Sequence, residues 1–178
     1  MTDEESLHAA IHEDGALHEY SATWPAVFSA ERERLMALLL GRFIDIQHIG
    51  STAVPGLAAK PIVDLLAGVE SMDVARALAE PLCRSGYTTS TEFNATLTDR
   101  QWFMRWSNGH RTHHLHVVVH GSPAWRQRLK FRDLLCGDEA LAQRYAKLKA
   151  DLAANHIHDR EAYTDGKGAF ILALVGDA

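Results

Sequence analysis

One segment constrains the fold of this chain more than any other. Residues 61–69 form a continuous apolar run that is interrupted by a single charge, Asp64. Such a run is typical of a central strand that is covered by helices on both faces of its sheet. A carboxylate in this setting is costly to bury without a partner. We therefore expect Asp64 either to pair with a basic residue such as Lys60 or Arg111, or to face a metal ion or ligand in a cleft.

The rest of the pattern places further strands and helices around this segment. Asn108 and Gly109 separate two β-like segments and predict a tight hairpin. Strands are predicted over residues 42–49, 61–69, 87–94, 100–107 and 112–120. Helices are predicted over residues 23–40, 71–85, 122–137, 138–155 and 159–175. The sequence thus predicts an α+β fold, a mixed sheet of about five strands flanked by helices, with a helical C-terminal cap.

Length and composition favour one globular domain. The chain has 178 residues and a mass of 19.7 kDa, which is the size of one folding unit. The polar residues 1–18 are predicted to form a loose lead-in. Residues 19–178 are predicted to form a single domain, with the sheet core over about 19–120 and the helical cap over about 121–178.

Charge and cysteine content exclude several classes of function. The 18 basic and 23 acidic residues give a net charge of −5, which argues against a binder of duplex nucleic acid. The two cysteines have no metal-binding spacing and fit a reducing compartment. Residues 1–14 carry acids and no apolar run, and no segment approaches the ~20 apolar residues that span a bilayer. We therefore expect a cytoplasmic protein that does not contact membranes.

The loop between the first two predicted strands carries a candidate anion site. Gly50, Ser51 and Thr52 follow a strand directly and offer backbone N–H groups and two hydroxyls to phosphate oxygens. Lys60 could add a positive charge to the same anion. The loop is not a Walker A motif, because Leu57 follows Gly56 where that motif has lysine. The alternative is a tight turn whose hydroxyls only cap a helix.

Two histidines form a candidate metal site with Asp64. His114 and His116 are two residues apart on a predicted strand, so they face the same side, whereas His113 faces the other. If that side also faces Asp64, the three side chains make a two-His-one-carboxylate site. The alternative is that these are ordinary strand histidines whose neighbours satisfy their hydrogen bonds.

Basic residues elsewhere in the chain are candidates for further contacts with an anion. Arg111 precedes the histidine strand, and Arg132 lies four residues after Arg128 on one helix face. Lys167 follows Tyr163 by four residues in the last predicted helix. These side chains could clamp a phosphorylated ligand from the helical cap. A solvated basic face is the alternative.

Several motifs together resemble the GrpB family over about residues 20–175. The motifs are Trp24-Pro25, the segment from His48-Ile-Gly-Ser-Thr to Lys-Pro-Ile-Val-Asp64, Arg111-Thr-His-His-Leu-His-Val117, Phe131-Arg-Asp133 and Tyr163-Thr-Asp-Gly-Lys167. The resemblance implies the nucleotidyltransferase fold of the polymerase-β-like superfamily. It also makes Arg132 the strongest candidate among the basic residues of the cap.

The superfamily pattern has a Gly-Ser turn, then a strand with two acids one residue apart, and a third acid on a neighbouring strand. Gly50 and Ser51 match the turn, and Asp64 matches the second acid. Ile62 stands at the first acid's position and His116 at about the third's. The pattern implies a divalent metal ion, either the Mg²⁺ of the superfamily or Mn²⁺, with Zn²⁺ as a further candidate because imidazoles suit a single transition metal better than two Mg²⁺ ions.

The leading hypothesis is therefore a metal-dependent, nucleotidyltransferase-like transferase. It would bind a nucleoside triphosphate, or another phosphorylated small molecule, and transfer a nucleotidyl group to a small-molecule acceptor. Asp64 and His116 would be catalytic, and Asp64, His114 and His116 would bind metal. The expected substrate-binding residues are Gly50, Ser51, Thr52, Lys60, Arg111, Arg132 and Lys167. The alternatives are a non-catalytic binding module derived from that fold and a single-metal hydrolase.

Overall fold

A mixed five-stranded sheet forms the centre of the protein. The computed structural model describes residues 2–12, 16–155 and 160–176. The strands are β1 (Asp45–Ile49), β2 (Val63–Val69), β3 (Tyr87–Thr88), β4 (Arg100–Ser107) and β5 (His110–Val119). Their order across the sheet is β1-β2-β5-β4-β3. Only β2 and β5 pair in parallel, while the other neighbouring pairs are antiparallel.

Helices precede, interrupt and follow the strands. They are α1 (Asp3–His12), α2 (Trp24–Leu38), α3 (Met72–Ala77), α4 (Ala79–Arg84), α5 (Thr91–Ala95), α6 (Pro123–Gly137), α7 (Glu139–Asn155) and α8 (Arg160–Val175). A short 3₁₀ turn, Ser51–Ala53, follows β1. None of the helices in the described ranges is long and apolar enough to cross a membrane.

The two faces of the sheet are covered by different helices. Leu65 of β2 and Val117 of β5 belong to a core that α2, α3 and α4 close from one side. Leu66 and Val118, their neighbours along the strands, pack with Trp125 of α6 on the other side. This alternation makes β2 and β5 central, as the apolar run at residues 61–69 predicts.

The C-terminal helices form a third core against the loop after β1. Val54 and Leu57 of that loop pack with Leu135 of α6 and with Leu141 and Tyr145 of α7. Phe170 and Leu174 of α8 join the same cluster. The helical cap is therefore fixed on the Gly-Ser-Thr loop, so that side chains of α7 and α8 can reach it.

The structure confirms the predicted fold class, an α+β arrangement of a mixed five-stranded sheet, flanking helices and a helical C-terminal part. The Asn108-Gly109 hairpin joins β4 and β5. The two residues have φ of 51° and 77°, as expected for a two-residue turn that needs positive φ at both central positions. The predicted start of the last helix at Asp159 lies outside the described residues.

Three local predictions differ from the structure. Helix α1 lies within the expected loose lead-in, and the Ser6 hydroxyl is 2.7 Å from that of Thr88. The predicted helix over 71–85 breaks at Leu78, because Pro81 has no N–H to bond the preceding turn. The predicted strand over 87–94 ends after Thr88, because the Ser90 side chain accepts a hydrogen bond from Phe93 N–H and caps α5.

Candidate functional site

A carboxylate and two histidines meet on the face of the sheet that α6 partly covers. Asp64 of β2 lies opposite His114 of β5 in the parallel register, and His116 lies two residues farther along. Nδ1 of His114 is 3.2 Å and Nε2 of His116 is 3.5 Å from Oδ1 of Asp64. The structure thus brings together the three side chains that the sequence predicted to share a face.

The cluster combines an anionic carboxylate with a neutral imidazole. Burial opposes ionisation of Asp64, but hydrogen bonds from His114 and His116 outweigh it and hold the pKa of this carboxyl well below its ordinary value. Burial lowers the pKa of His116 to about 4, despite the nearby Asp64 charge. In the described part of the chain, the buried Nδ1 of His116 has no hydrogen-bond partner. The cluster therefore retains unused ligand capacity at neutral pH.

Arg111 contacts the outer edge of this cluster. Its Nη1 lies 3.1 Å from Nε2 of His114, and its residue exposure is only 6%. Because a guanidinium can only donate, Nε2 accepts and Nδ1 of His114 carries the proton that points to Asp64. This proton must leave Nδ1 before that atom can bind a cation. Arg111, predicted to contact phosphate, is thus placed beside a candidate metal ligand.

Gly50 brings the loop after β1 directly against Asp64. Its φ of 75° lies in the left-handed region that favours glycine. A Cβ added at Gly50 would stand 2.5 Å from Oδ2 and 3.1 Å from Cγ of Asp64. Glycine is therefore required twice at this position, for the backbone conformation and for the space that Asp64 occupies.

Thr52 has an internal partner instead of an open hydroxyl. Thr52 is 1% exposed, and its Oγ1 lies 2.9 Å from Nε2 of His48. The His48 ring stacks on Phe28 of α2 at 4.8 Å between centroids. Burial lowers the pKa of His48 to about 4, so its imidazole is neutral. Thr52, predicted to bind substrate, fixes the conformation of the turn through these contacts.

Ser51 meets a buried lysine, Lys149, that is not among the predicted site residues. Nζ of Lys149, on α7, donates to Oγ of Ser51 at 2.5 Å. Lys149 is 7% exposed, and burial lowers its pKa to about 8, with a further decrease from the charge of Lys167. The Asp64 charge acts on the same ammonium in the opposite direction. Lys149 is therefore a buried cation that contacts the turn and interacts electrostatically with Asp64.

A repeated spacing could have identified Lys149. It follows Tyr145 by four residues, as Lys167 follows Tyr163, and each ammonium lies over its tyrosine ring at 5.0 and 4.6 Å respectively. The charges of both Lys167 and Lys60 lower the pKa of Lys149. Lys60 and Lys167, which were predicted to bind substrate, therefore interact electrostatically with Lys149.

Arg132 serves the packing of α6 on β1. Its Nη1 donates to Oε1 of Gln47 at 2.9 Å and to the carbonyl oxygen of His48 at 3.1 Å. The guanidinium also contacts Asp133 at 2.8 Å. These bonds tie α6 to the strand that leads into the turn, and the contacts of Arg132 in the described chain include neither Ser51 nor Asp64.

The donor set of the cluster suits one transition-metal cation. The ligand atoms of Asp64, His114 and His116 lie within 4.8 Å of one another. Two imidazoles and one carboxylate favour Mn²⁺ or Zn²⁺, whereas Mg²⁺ prefers oxygen ligands. Ile62, where the resemblance implies another acid, is aliphatic and only 8% exposed. It adds no ligand, so the residues fit one such cation better than a pair of Mg²⁺ ions.

Comparison with known proteins places this arrangement in a family. The sequence model described as GrpB protein matches residues 16–176. The glutamate-rich protein GrpB of Alkalihalophilus pseudofirmus is 34% identical over 166 residues, which cover 89% of this chain and 92% of that protein. YqkA of Bacillus subtilis is 38% identical over 152 residues, and the chain spans only 43% of its length.

A relative with a different name and a solved structure complete the comparison. A dephospho-CoA kinase of Mycobacterium bovis is 32% identical over 151 residues, which cover 72% of this chain and 37% of that protein. The crystal structure of GrpB from Enterococcus faecalis superimposes with a TM-score of 0.76 and 34% identity, covering 89% of this chain and 94% of that one. The resemblance seen in the motifs is thus confirmed, and the chain belongs to the GrpB family.

Proposed function

We propose that the protein binds a nucleoside triphosphate and transfers its nucleotidyl group to a small-molecule acceptor. One observation carries the proposal: buried Lys149 converges on Ser51, in a turn whose Gly50 packs against Asp64. A cationic site for phosphate oxygens therefore adjoins a site with ligands for a divalent cation. Phosphoryl-transfer enzymes depend on this combination, because their catalysis is mostly positioning and charge stabilisation.

The lysine side of the site would hold the phosphates. Lys149 and the Ser51 hydroxyl already lie within hydrogen-bond distance of each other, so a phosphate oxygen could be bound by both. Lys60 and Lys167 add positive charge nearby, as their effects on Lys149 indicate. Charge-assisted hydrogen bonds of this kind are stronger than neutral ones, especially where burial excludes water.

Asp64, His114 and His116 would hold one divalent cation on the neighbouring strands. When bound, the cation would neutralise phosphate charge and polarise phosphorus–oxygen bonds. Nδ1–H of His114 donates to Asp64, and Nε2 of His116 lies 3.5 Å from the same oxygen, so the carboxylate is oriented toward Gly50; the His114 proton would leave when that nitrogen binds the cation. The carboxylate thereby holds its position behind the turn that would bind the phosphates.

The proposed transfer conserves atoms and charge in a single displacement. An acceptor hydroxyl oxygen forms a bond to the α-phosphorus, and the bond from that phosphorus to the bridging oxygen of pyrophosphate breaks. Pyrophosphate leaves, and the acceptor proton passes to solvent. Lys149 and Ser51 would bind the leaving phosphates, where negative charge increases during the reaction.

The comparisons support a phosphorylated ligand without naming it. The order of a Gly-Ser turn, a strand with Asp64 and a neighbouring strand with His116 follows the nucleotidyltransferase pattern that the family resemblance implies. A relative named dephospho-CoA kinase contains a segment similar to this chain, which is compatible with a phosphorylated small molecule as ligand.

Phosphorus NMR tests the proposal. The purified chain is incubated with each nucleoside triphosphate, with Mg²⁺, Mn²⁺ or Zn²⁺, and with a deproteinised cell extract as the source of acceptors. We expect pyrophosphate and a new phosphodiester or phosphoanhydride signal, with Mn²⁺ or Zn²⁺ more effective than Mg²⁺. Asp64→Asn should abolish product formation, and Lys149→Met should weaken triphosphate binding at least tenfold. Lys147→Met, an exposed lysine on the same helix, is the matched control.

Other outcomes would replace the proposal. Release of orthophosphate instead of pyrophosphate would indicate a single-metal hydrolase, which the two-His-one-carboxylate ligand set favours as the second candidate. Shifted triphosphate signals with no product under any metal would indicate a binding module, for which Ile62 in place of an acid is the supporting feature. Full activity of Asp64→Asn would overturn the role given to Asp64.

A further inference from the structure

Two half-buried arginines lie on the same face of the sheet, beyond His116. Arg100 of β4 pairs with Val118 of β5, two positions along from Trp102, which pairs with His116. Because side chains alternate along a strand, Arg100, Trp102, His116 and Val118 all project to the face that α6 partly covers. Arg128 comes from α6, where its Nη1 donates to the carbonyl oxygen of Ala124 at 3.0 Å.

The two arginines come from different elements to the same part of this face, and the charge of Arg100 acts on Arg128. Burial lowers the pKa of Arg128, and the charge of Arg100 lowers it further. Burial also lowers the pKa of Arg100. Ala124, whose carbonyl accepts from Arg128, packs in one cluster with Val118, the cross-strand partner of Arg100. The two arginines therefore lie next to the same residue of β5, Val118, one on the neighbouring strand and one on the helix that covers it.

Neither arginine forms a direct ion pair within the described protein. Among the ion pairs of residues 2–12, 16–155 and 160–176, none within 4 Å involves Arg100 or Arg128. Asp99 is the acid that acts on both, and its own side chain is exposed to solvent. Two like charges that are half-buried together are unfavourable unless an anion binds between them.

We propose that Arg100 and Arg128 form a second anion subsite, which binds a phosphate or carboxylate group of the acceptor. This assignment rests on the proposed function and adds the chemical class of the second substrate. The Ser51–Lys149 side would hold the nucleotide phosphates, and the arginine side would hold the acceptor. Asp64, His114 and His116 lie between the two on β2 and β5. An acceptor anchored at its anionic end would direct its hydroxyl toward the α-phosphorus, which is the positional contribution that such catalysis needs.

The arrangement also provides an organic surface next to the arginines. The Trp102 ring meets that of His114 edge-on at 5.6 Å and that of Phe93 of α5 at 5.6 Å. Phe93 is 40% exposed, so this aromatic wall is open to solvent at its outer end. The carbon skeleton of an acceptor held by the arginines would rest on Trp102. Guanidinium groups are well suited to the anchoring end because they bind phosphate and carboxylate in a bidentate manner.

Titration with inorganic phosphate tests the subsite in the full chain, without added metal. The indole N–H signal of Trp102, assigned with Trp102→Phe, reports on the arginine side. We expect phosphate to shift this signal in the wild type and in Lys149→Met. In Arg100→Gln and in Arg128→Gln the apparent phosphate affinity at this signal should fall at least tenfold. Arg126→Gln, an exposed arginine of the same helix, should behave as the wild type.

Two further comparisons distinguish a misfolded variant from a lost subsite, and failure of the subsite from failure of the proposed function. If either glutamine variant fails to fold, Arg100→Lys and Arg128→Lys keep the charge but remove the bidentate geometry, and a several-fold loss of affinity supports the subsite. Unchanged phosphate affinity in folded variants overturns it. A missing Trp102 shift in the wild type also overturns the subsite, even where Lys149-dependent triphosphate binding persists and the proposed function stands. Conversely, triphosphate binding that does not depend on Lys149 would refute the proposed function. If phosphate still shifts the Trp102 signal in that case, the arginine subsite stands.

Discussion

The two faces of the sheet each bury an acid, but they give it different partners. On the α2 face, Glu31 is 3% exposed and accepts hydrogen bonds from Arg34, Arg105 and the Tyr87 hydroxyl. On the other face, Asp64 is less buried, and its ion-pair partners within the described ranges are His114 and His116. The pKa of both carboxyls is lowered, in each case because donated hydrogen bonds outweigh burial.

The chemistry of the partners distinguishes the structural acid Glu31 from Asp64, the proposed metal ligand. Arginine is charged at all physiological pH values and donates in a fixed fork, so Glu31 is fully occupied and fixed. Imidazoles are weaker donors that can also serve as metal ligands, so Asp64 remains available to a cation. Burial of a carboxylate is therefore a poor indicator of function unless the donors around it are known.

Removal of each acid should affect stability very differently. We expect Glu31→Ala to lower the free energy of unfolding by about 3 kcal/mol, because it leaves two arginines without their shared partner. Asp64→Asn should lower it by about 1 kcal/mol or less, since the amide oxygen can still accept from His114. Urea denaturation of the two variants measures the contrast, and equal losses would contradict it.

The hydrogen bonds to Glu31 should also make the stability of the protein depend on pH. The pKa of Glu31 is lower in the folded than in the unfolded state, so its contribution is complete above the unfolded value of about 4.3. It is lost as the pH falls through the lower folded value. The unfolding free energy of Glu31→Ala should therefore depend less on pH in this acidic range than that of the wild type.

Substitution of Gly50 should disturb the Asp64 face specifically. We expect Gly50→Ala to lower the free energy of unfolding by about 1–3 kcal/mol through backbone strain, and to weaken Mn²⁺ or Zn²⁺ binding at least tenfold because its Cβ displaces Asp64. Gly56→Ala has a similar positive φ but an open surrounding, so it should show strain without loss of metal affinity. Calorimetric metal titration distinguishes them. Equal metal affinity in both variants would remove Gly50 from the site.

Lys149 should make the free energy of unfolding depend on pH in the alkaline range. Its folded pKa of about 8 lies below the unfolded value, so the unfolded chain binds more protons between pH 8 and about 10.4. Over this range Lys149 should make stability rise with pH by up to about 1.4 kcal/mol per unit. Denaturation of the wild type and Lys149→Met across this range measures the difference. Parallel pH profiles would contradict the buried lysine.

Substitution of Arg132 should have the smallest effect on triphosphate affinity. It tests whether this side chain contacts the phosphates. Because it bonds Gln47 and the His48 carbonyl, Arg132→Gln should lower the free energy of unfolding by about 1 kcal/mol. Triphosphate affinity should remain within about twofold of the wild type. A tenfold loss in a well-folded variant would restore Arg132 to the phosphate contacts that the family resemblance implies.

The sequence was sufficient to predict the features that depend on local pattern. The apolar run at residues 61–69, the two-residue spacing of His114 and His116, and the Asn108-Gly109 turn each predict a geometry that the structure contains. Alternation along a strand is a short-range rule, so the shared face of Asp64 and the histidines follows once the strands are paired.

Features that depend on packing between distant segments could not be predicted in the same way. The spacing from Tyr145 distinguishes Lys149 from the exposed Lys147 of the same helix, but its contact with Ser51 depends on how α7 packs over the turn. The assignment of Thr52 and Arg132 to phosphate stays a prediction, and the sequence could not show that His48 and Gln47 bond the same side chains in the folded chain. Competition for hydrogen bonds from another part of the chain is invisible in a local motif.

The alternating side-chain directions along β5 restrict how the sequence of this protein can evolve. His113 points toward Glu31, while His114 and His116 point toward Asp64, so one strand serves both sides at successive residues. Gain or loss of a single amino acid near the start of β5 would exchange the two sets of side chains. Insertions and deletions should therefore be confined to loops outside this strand, while individual substitutions on either side remain separable.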